Sequence, residues 1–321
     1  MVEHFRIPFV IGAGSGGGKI VAGITVPGVA KVAINSSWKD LDLLPGDVAK
    51  IRAGEGKGSG MDPKMGEKHY KMSRDTVRRA LMEMVGRCGY APEDVSMIPV
   101  IVSTGFGFGS GSGPELVKDL KRWFPRAVIL AFATTPFDFE GEETFRRSYD
   151  SCRRMAEEVG VILIDNTYVA GLVGAGESLW QALDKVNRYI SSIINTFLRI
   201  ASAKSVLAGI DETDLRRVAG RGLIYMFTKS FSSESEGLEG LYNSDAMLAR
   251  YEFEKPEHLP VDMLAFIQSP RVPSKAMIDQ IRGIAEERLG IRARSLKVGI
   301  FTGERLRISV MIGGLRWWVW G

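Results

Sequence analysis

Three glycine clusters mark where this 321-residue chain could do chemistry. Of its 37 glycines, 14 fall at 12–18, 54–60 and 105–113. The first cluster, Gly12-Ala13-Gly14-Ser15-Gly16-Gly17-Gly18-Lys19, follows the apolar run 5–11 and precedes an amphipathic stretch. Glycine lets the backbone turn tightly and approach a ligand with no Cβ in the way. The free N–H groups at the start of the following helix then favour an anion such as a phosphate. Gly12, Gly14 and Gly17 spell G-x-G-x-x-G, the dinucleotide-binding pattern. A P-loop is nearly matched too, but Ala13 and Ile20 stand where it needs its first Gly and its Ser or Thr. The dinucleotide reading asks for an acid at the end of the second strand, and here the run 32–34 ends in Asn35-Ser36-Ser37. Nor does it call for the second glycine-rich segment, Gly105-Phe106-Gly107-Phe108-Gly109-Ser110-Gly111-Ser112-Gly113. Pro114, next in line, marks a helix start. Two such loops, each at the carboxyl end of a strand, predict a polyphosphate held from two sides; two permissive turns with no ligand are the plainer alternative.

The elements that must position these loops follow from hydrophobic patterning. Continuous apolar runs at 5–11, 32–34, 97–102, 127–133 and 159–164 alternate with helical patterns at 73–85, 114–123 and 141–158. That alternation predicts an α/β fold, a parallel sheet with helices on both faces. A long helix begins near Glu177, with Leu179, Leu183, Val186, Ile190, Ile193, Phe197 and Ile200 forming one apolar stripe. Beyond it, 279–289 reads as an amphipathic helix, and 296–300 and 306–312 alternate strictly, which predicts a second, smaller α+β domain with a half-exposed sheet. The chain therefore divides into a Rossmann-like domain at 1–176, a central helix at 177–204 and a C-terminal domain at 205–321. On the residues alone, Asp211-Glu212-Thr213-Asp214 is a helix start, with Asp211 as cap and acids in the first turn.

Composition narrows the class. Cys88 and Cys152 are too few for a disulfide framework and are expected as buried thiols in two helices. The three histidines lie far apart in sequence, so no metal-ligand cluster can be drawn. No run approaches the ~20 apolar residues that cross a bilayer, the N-terminus has no signal-peptide pattern, and a cytoplasmic protein is expected. A net charge of +4 and pI near 9.0 do not by themselves imply nucleic acid, and none is predicted as a partner. Residues 233–262 carry a net −6 and residues 271–321 a net +6, read either as two solvated faces or as complementary patches that steer subunits together.

The segment 104–114 resembles the tubulin/FtsZ signature loop G-G-G-T-G-T/S-G, with Phe108 and Ser110 in place of a Gly and the Thr. Further motifs match that family in order and spacing. Gly12 to Lys19 is similar to its first phosphate loop, and Asn35 to the residue that opens its second. Gly58-Ser59-Gly60-Met61-Asp62-Pro63-Lys64-Met65-Gly66 resembles its third, Thr134 to Gly141 its fifth, and Asp165-Asn166 its sixth. The chain is identified as a divergent, prokaryotic FtsZ-like member. The resemblance implies GTP and GDP as ligands, Mg²⁺ carried by the nucleotide rather than by a protein metal site, and head-to-tail polymerisation into cytoskeletal filaments serving cell division or cell shape. It places Gly12, Gly14, Ser15, Gly16, Gly17, Gly18, Lys19, Asn35, Gly58, Gly60, Gly105, Gly107, Phe108, Gly109, Ser110, Gly111, Pro136, Glu140 and Asn166 around the nucleotide. Leu183 falls where a purine-stacking Phe often sits, and Asn187 where an amide reads the guanine edge. Asp211 and Asp214 match the two acids that the family presents to the nucleotide of the adjacent subunit, which makes the expected GTPase assembly-dependent.

Departures from the family are specific. Gly209 replaces an Asn, Lys19 replaces another, and Thr144 stands where an Arg is expected, with Arg146 and Arg147 out of phase. Gly209 and Thr144 motivate an alternative, an FtsZ-like filament or regulatory protein that binds GTP with little or no hydrolysis. A more remote alternative is an NAD-dependent dehydrogenase. The sequence ends at Gly321 just after Trp317, Trp318 and Trp320, so the usual tether interaction of FtsZ is not expected. That Trp cluster either packs on the second domain or anchors a partner, membrane adaptor or membrane interface.

Overall fold

The computed structural model describes residues 5–174, 178–203, 205–207, 210–231, 260–289 and 292–315. Gly209, the Trp cluster and most of the acidic stretch 233–262 lie outside these residues.

The elements in chain order are β1 (Phe9–Ala13), α1 (Gly14–Ala22), β2 (Ala30–Asn35), α2 (Trp38–Asp42), β3 (Val48–Arg52), α3 (Pro63–Arg87), β4 (Met97–Ser103), α4 (Gly107–Trp123), β5 (Val128–Thr135), α5 (Glu142–Ala156), β6 (Gly160–Asp165) and α6 (Asn166–Val173). The long α7 (Leu179–Ala201) follows, then β7 (Ser205–Leu207), α8 (Glu212–Ala219), β8 (Gly222–Phe231), β9 (Pro260–Ser269), α9 (Lys275–Leu289), β10 (Arg292–Thr302) and β11 (Leu306–Leu315).

All described strands join one sheet in the order β3-β2-β1-β4-β5-β6-β8-β11-β9-β10-β7. From β3 to β8 every pairing is parallel. The β6–β8 junction is brief, Gly160 opposite Gly222 and Val161 opposite Leu223. Beyond it, β11 runs antiparallel to both β8 and β9, β9 and β10 are parallel, and β7 is antiparallel to β10. Two apolar cores sandwich the sheet. Residues of α3, α4, α5 and α9 cover one face, and residues of α1, α6, α7 and α8 cover the other. Strands buried on both faces read as continuous apolar runs, as β5 does throughout its length.

Four expectations need correction. The C-terminal sheet is not half-exposed at β11. Ile308, Val310 and Ile312 join the α9 core, and Met311 joins the core of α7 and α8, because β11 is an inner strand with helices on both sides. α3 starts at Pro63 rather than near 73, with Asp62 capping Lys64 N–H at 2.9 Å and Pro63 at the first helical position. α4 starts at Gly107, so Pro114 lies inside it, not at its start. Proline has no N–H for the carbonyl four residues back, and the Ser110 carbonyl accepts instead from the Ser151 hydroxyl at 2.9 Å. Finally, Cys88 is exposed at the C-terminal cap of α3; Cys152 is buried, and its burial pushes the thiol up to about 12.

Candidate functional site

The two glycine-rich segments are largely not loops. β1 ends at Ala13 and α1 begins at Gly14, whose φ of +81° suits glycine. β4 ends at Ser103 and α4 begins four residues later. The two helix starts meet beside Ser103. A Cβ on Gly14 would lie 2.6 Å from Ser103 Oγ and 3.3 Å from Gly109 Cα, and one on Gly109 would lie 1.8 Å from the Ser103 carbonyl oxygen. Side chains cap α2, α3, α6 and α8. α1 and α4 have no side-chain cap and no acid in the first turn. Their first-turn N–H groups therefore face the sheet's carboxyl edge without a protein carboxylate or hydroxyl to satisfy them.

The cleft at this edge has a volume of about 470 Å³, within the usual range for small-molecule sites. Of the residues singled out in the sequence, it is lined by Gly14, Ser15, Gly16, Lys19, Asn35, Gly58, Gly60, Gly107, Phe108, Gly109, Pro136, Glu140, Asn166, Leu183 and Asn187. Six others lie behind this wall: Gly12, Gly17, Gly18, Gly105, Ser110 and Gly111. Close packing explains their type. A Cβ on Gly12 would meet the Gly17 carbonyl at 2.3 Å, one on Gly17 the Ile101 carbonyl at 2.6 Å, and one on Gly111 the Pro63 carbonyl at 1.9 Å. The Ser110 hydroxyl accepts from Gly105 N–H at 2.7 Å and fixes the turn into α4. Phe108 faces both ways: it lines the cleft yet is buried in the core between α3 and the sheet.

The cleft is also lined by residues that the sequence does not single out as nucleotide-binding. Asp40 is the most consequential. Its carboxylate accepts from the Ser15 hydroxyl, which in turn accepts from Asn35 Nδ2 at 3.1 Å. The readable signal was Ser37-x-x-Asp40, a helix start in which Ser37 Oγ accepts from Asp40 N–H. Ser59, Met61, Ser103, Thr104 and Phe137 also line the cleft. Glu140 accepts from Phe137 N–H at 2.7 Å; burial raises its carboxyl above the usual range, with that N–H pulling the other way.

Cations at the cleft are sparse. Among the described lining residues, Lys19 is the one cation, while Asp40 and Glu140 bring carboxylates to the same lining. Thr144 is buried and donates to the Glu140 carbonyl at 2.8 Å. Arg147 donates to the Met61 carbonyl at 3.0 Å and pairs with Glu143, and Arg146 pairs with Glu143 as well. Neither arginine lines the cleft. No group of three or more His, Cys, Asp or Glu suited to a metal occurs among the described residues. Mg²⁺ usually needs only one or two carboxylates beside phosphate oxygens and water, and Asp40 and Glu140 could supply them.

Asp211 and Asp214 are elsewhere. Asp211 caps α8, accepting from Asp214 N–H at 2.8 Å, and Asp214 reciprocates at 3.3 Å to Asp211 N–H. Asp211 is exposed; Asp214 is buried and also pairs with Lys297 at 3.2 Å and Arg217 at 3.4 Å. The next residue, Glu212, accepts from the hydroxyl of Ser96, just before β4. The acids thus sit at the amino edge of the sheet. The seven-residue β4, roughly 23 Å long at ~3.3 Å per residue, separates that edge from the cleft. Among the described residues no helix is long and apolar enough to cross a membrane.

Comparison with known proteins agrees with this architecture. Residues 30–174 match the family model described as Tubulin/FtsZ family, GTPase domain. A tubulin-like protein CetZ of Pyrococcus abyssi is 29% identical over 217 residues, 65% of this chain and 57% of its own. Cell division protein FtsZ 2 of Haloferax volcanii is 23% identical over 245 residues, 74% of this chain and 57% of its own. The matched part thus spans little more than half the length of these curated relatives. Among solved structures, CetZ2 from Haloferax volcanii, a GTPgS-bound protofilament, superposes with a TM-score of 0.73 at 23% identity, covering 96% of this chain and 93% of its own. An empty FtsZ dimer of M. jannaschii gives a TM-score of 0.73 at 19% identity, covering 97% and 88%.

Proposed function

From its tubulin/FtsZ fold and the tubulin/FtsZ-family GTPase domain it carries over residues 30–174, we propose that this chain binds GTP in the cleft and hydrolyses it to GDP and phosphate while polymerising head-to-tail. The observation that carries this reading is the pair of uncapped, acid-free helix starts of α1 and α4 converging beside Ser103. Their N–H groups and dipoles suit a polyphosphate. Lys19 adds one positive charge, and Leu183 and Asn187 on α7 border the base. Residues 1–176 form the nucleotide domain, 177–204 the central helix and 205–321 the domain that completes the neighbour's site. Mg²⁺ carried by the phosphates would supply charge neutralisation in the loose transition state, and Asp40 and Glu140 are the lining carboxylates that would help hold it.

Asp211 lies at the opposite edge of its own sheet, so it serves the nucleotide of the next copy. It orients and polarises a water toward the γ-phosphorus; the new P–O bond forms as the bond to the β-phosphate oxygen breaks, and the water's proton passes to the carboxylate or to solvent. Filaments of this kind, acting in the cytoplasm, would serve cell shape or division, with a membrane adaptor as a further partner.

The test is sedimentation and phosphate release with GTP and Mg²⁺ as protein concentration rises. Cooperative release above a threshold, abolished by Asp211→Ala, is expected. Release linear in concentration refutes the shared site, and binding of NADH without GTP refutes the nucleotide assignment. A second reading, a GTP-binding filament with little turnover, is favoured by Thr144, whose buried hydroxyl donates to a backbone carbonyl and brings no charge to the cleft. Sedimentation with GTP but no phosphate release selects it.

A further inference from the structure

Trp180 is 75% exposed, among the most exposed large apolar side chains described. A single exposed aromatic needs no explanation by itself, but two independent placements tie this one to the cleft. First, Trp180, Leu183 and Asn187 lie three and then four residues apart on α7, which puts them on one helix face. Leu183 and Asn187 line the cleft, so the stripe that borders it continues one turn upward to Trp180. Second, the indole sits against a residue of the neighbouring helix: Lys19 Nζ, on α1, is 5.8 Å from the ring centroid. Lys19 lines the cleft as well.

The geometry points to Trp180 as an additional base-contacting residue, whose indole stacks on the nucleobase at the cleft mouth while Lys19 exchanges the ring for a phosphate. This rests on the nucleotide reading above. An aromatic face stacks on any base with little regard to identity, because every base has a π face. Trp180 therefore supplies affinity, whereas discrimination falls to hydrogen-bonding groups such as Asn187. Lys19 has two possible partners within reach of one flexible side chain. The Trp180 ring is the weaker, an exposed cation–π contact. A phosphate oxygen is the stronger, through a charge-assisted hydrogen bond. Arrival of the nucleotide draws the ammonium toward the phosphates and leaves the indole face free for the base. The α1 and α7 walls are fixed relative to each other by Ser191, whose hydroxyl donates to the Ile20 carbonyl at 2.8 Å, so the exchange needs only side-chain motion.

The test is GDP binding with Mg²⁺, followed by calorimetry below the assembly threshold, for wild type, Trp180→Ala and Trp180→Phe. Stacking lost on removal of the ring predicts roughly 5- to 100-fold weaker GDP binding for Trp180→Ala. Trp180→Phe retains affinity within about threefold, since a π face remains. Binding should also quench tryptophan emission in the wild type, and the quench should be absent from both variants. The ring's exposure means neither substitution disturbs the core, and circular dichroism with thermal unfolding checks this. Trp180→Ala binding GDP as tightly as wild type overturns the proposal; if that variant instead sediments poorly with GTP, the ring is a contact between copies. If wild type itself does not bind GDP, the nucleotide reading falls and this proposal with it.

Discussion

Asp211→Asn separates the cap that Asp211 forms from the catalytic role proposed for it. As a helix cap, Asp211 Oδ1 accepts from Asp214 N–H at 2.8 Å. An asparagine amide oxygen can make the same bond, and Asn ranks with Asp as an N-cap. The variant loses one negative charge at the start of α8, worth about 0.3–1 kcal/mol at an exposed site. Asp211 is exposed, so no buried group is orphaned. Folding stability should therefore fall by less than about 1 kcal/mol. In the proposed role of water-orienting base in the next copy's site, a carboxylate has no such substitute. Loss of a positioned general base typically costs about 10²–10⁴-fold. The expected result is GTP-dependent sedimentation close to wild type, thermal unfolding nearly unchanged, and phosphate release at least ~100-fold slower. Asp211→Ala should lose the same rate and in addition about 0.5–2 kcal/mol, because alanine cannot cap. Phosphate release by Asp211→Asn within about threefold of wild type would refute the catalytic assignment and leave Asp211 as a cap alone. Asp214 provides the contrast. Its carboxylate is already engaged by Asp211 N–H, Lys297 and Arg217, so Asp214→Asn acts mainly by loosening the loop that presents Asp211.

Two further outcomes follow from local geometry. Ser151→Ala strips the donor from the Ser110 carbonyl that Pro114 leaves without a helical partner; it should cost about 1–3 kcal/mol in urea unfolding, falling to a few tenths when combined with Pro114→Ala, whose restored N–H takes over. Equal costs in both backgrounds would show that the Ser151 hydroxyl does not serve that carbonyl. Glu140 has a folded-state carboxyl held above its unfolded value by burial, so its ionisation opposes folding: the contribution is fully present below the unfolded value and is lost as pH rises through the folded one. Glu140→Gln, which keeps an acceptor for Phe137 N–H, should gain stability relative to wild type over the pH window that opens near the unfolded carboxyl's value of about 4 and closes above the raised folded one. A difference that does not change across that window would refute the burial argument.

The parallel strands were readable because burial on both faces leaves no polar alternation, and β4, β5 and β6 appear in sequence as plain apolar runs. The same rule misled at β11. There Ile308, Val310 and Ile312 alternate with Arg307, Ser309 and Met311, yet Ser309 is buried against Thr228 through a hydroxyl–hydroxyl bond of 2.7 Å, so a polar residue faced protein and not water. β3 was missed for the opposite reason: at the sheet edge Val48–Arg52 is short and buries only Val48 and Ile51. The cleft was legible only in part, since Asp40 joins it through Ser15, twenty-five positions away, a link no local pattern encodes.

The start of α4 shows why glycine was both the strongest signal and an incomplete one. Gly107, Gly109, Gly111 and Gly113 all fall within its first seven residues. Each costs a helix about 1 kcal/mol relative to alanine, so propensity placed the helix start after them. Tertiary contacts override that preference. A Cβ on Gly107 would lie 2.7 Å from Ser59 Cβ, on Gly109 1.8 Å from the Ser103 carbonyl, on Gly111 1.9 Å from that of Pro63, and on Gly113 2.8 Å from Val102. The four positions point at four different neighbours, from the glycine cluster at 54–60 through β4 to α3. Glycine here lets the helix sink against the sheet until its uncapped N-terminus is walled on several sides. A helix start held that firmly presents its N–H groups at a fixed place before any ligand arrives, so an anion that binds there pays little ordering cost. The same close packing makes Gly111, which does not line the cleft, as necessary to the site as Gly109, which does.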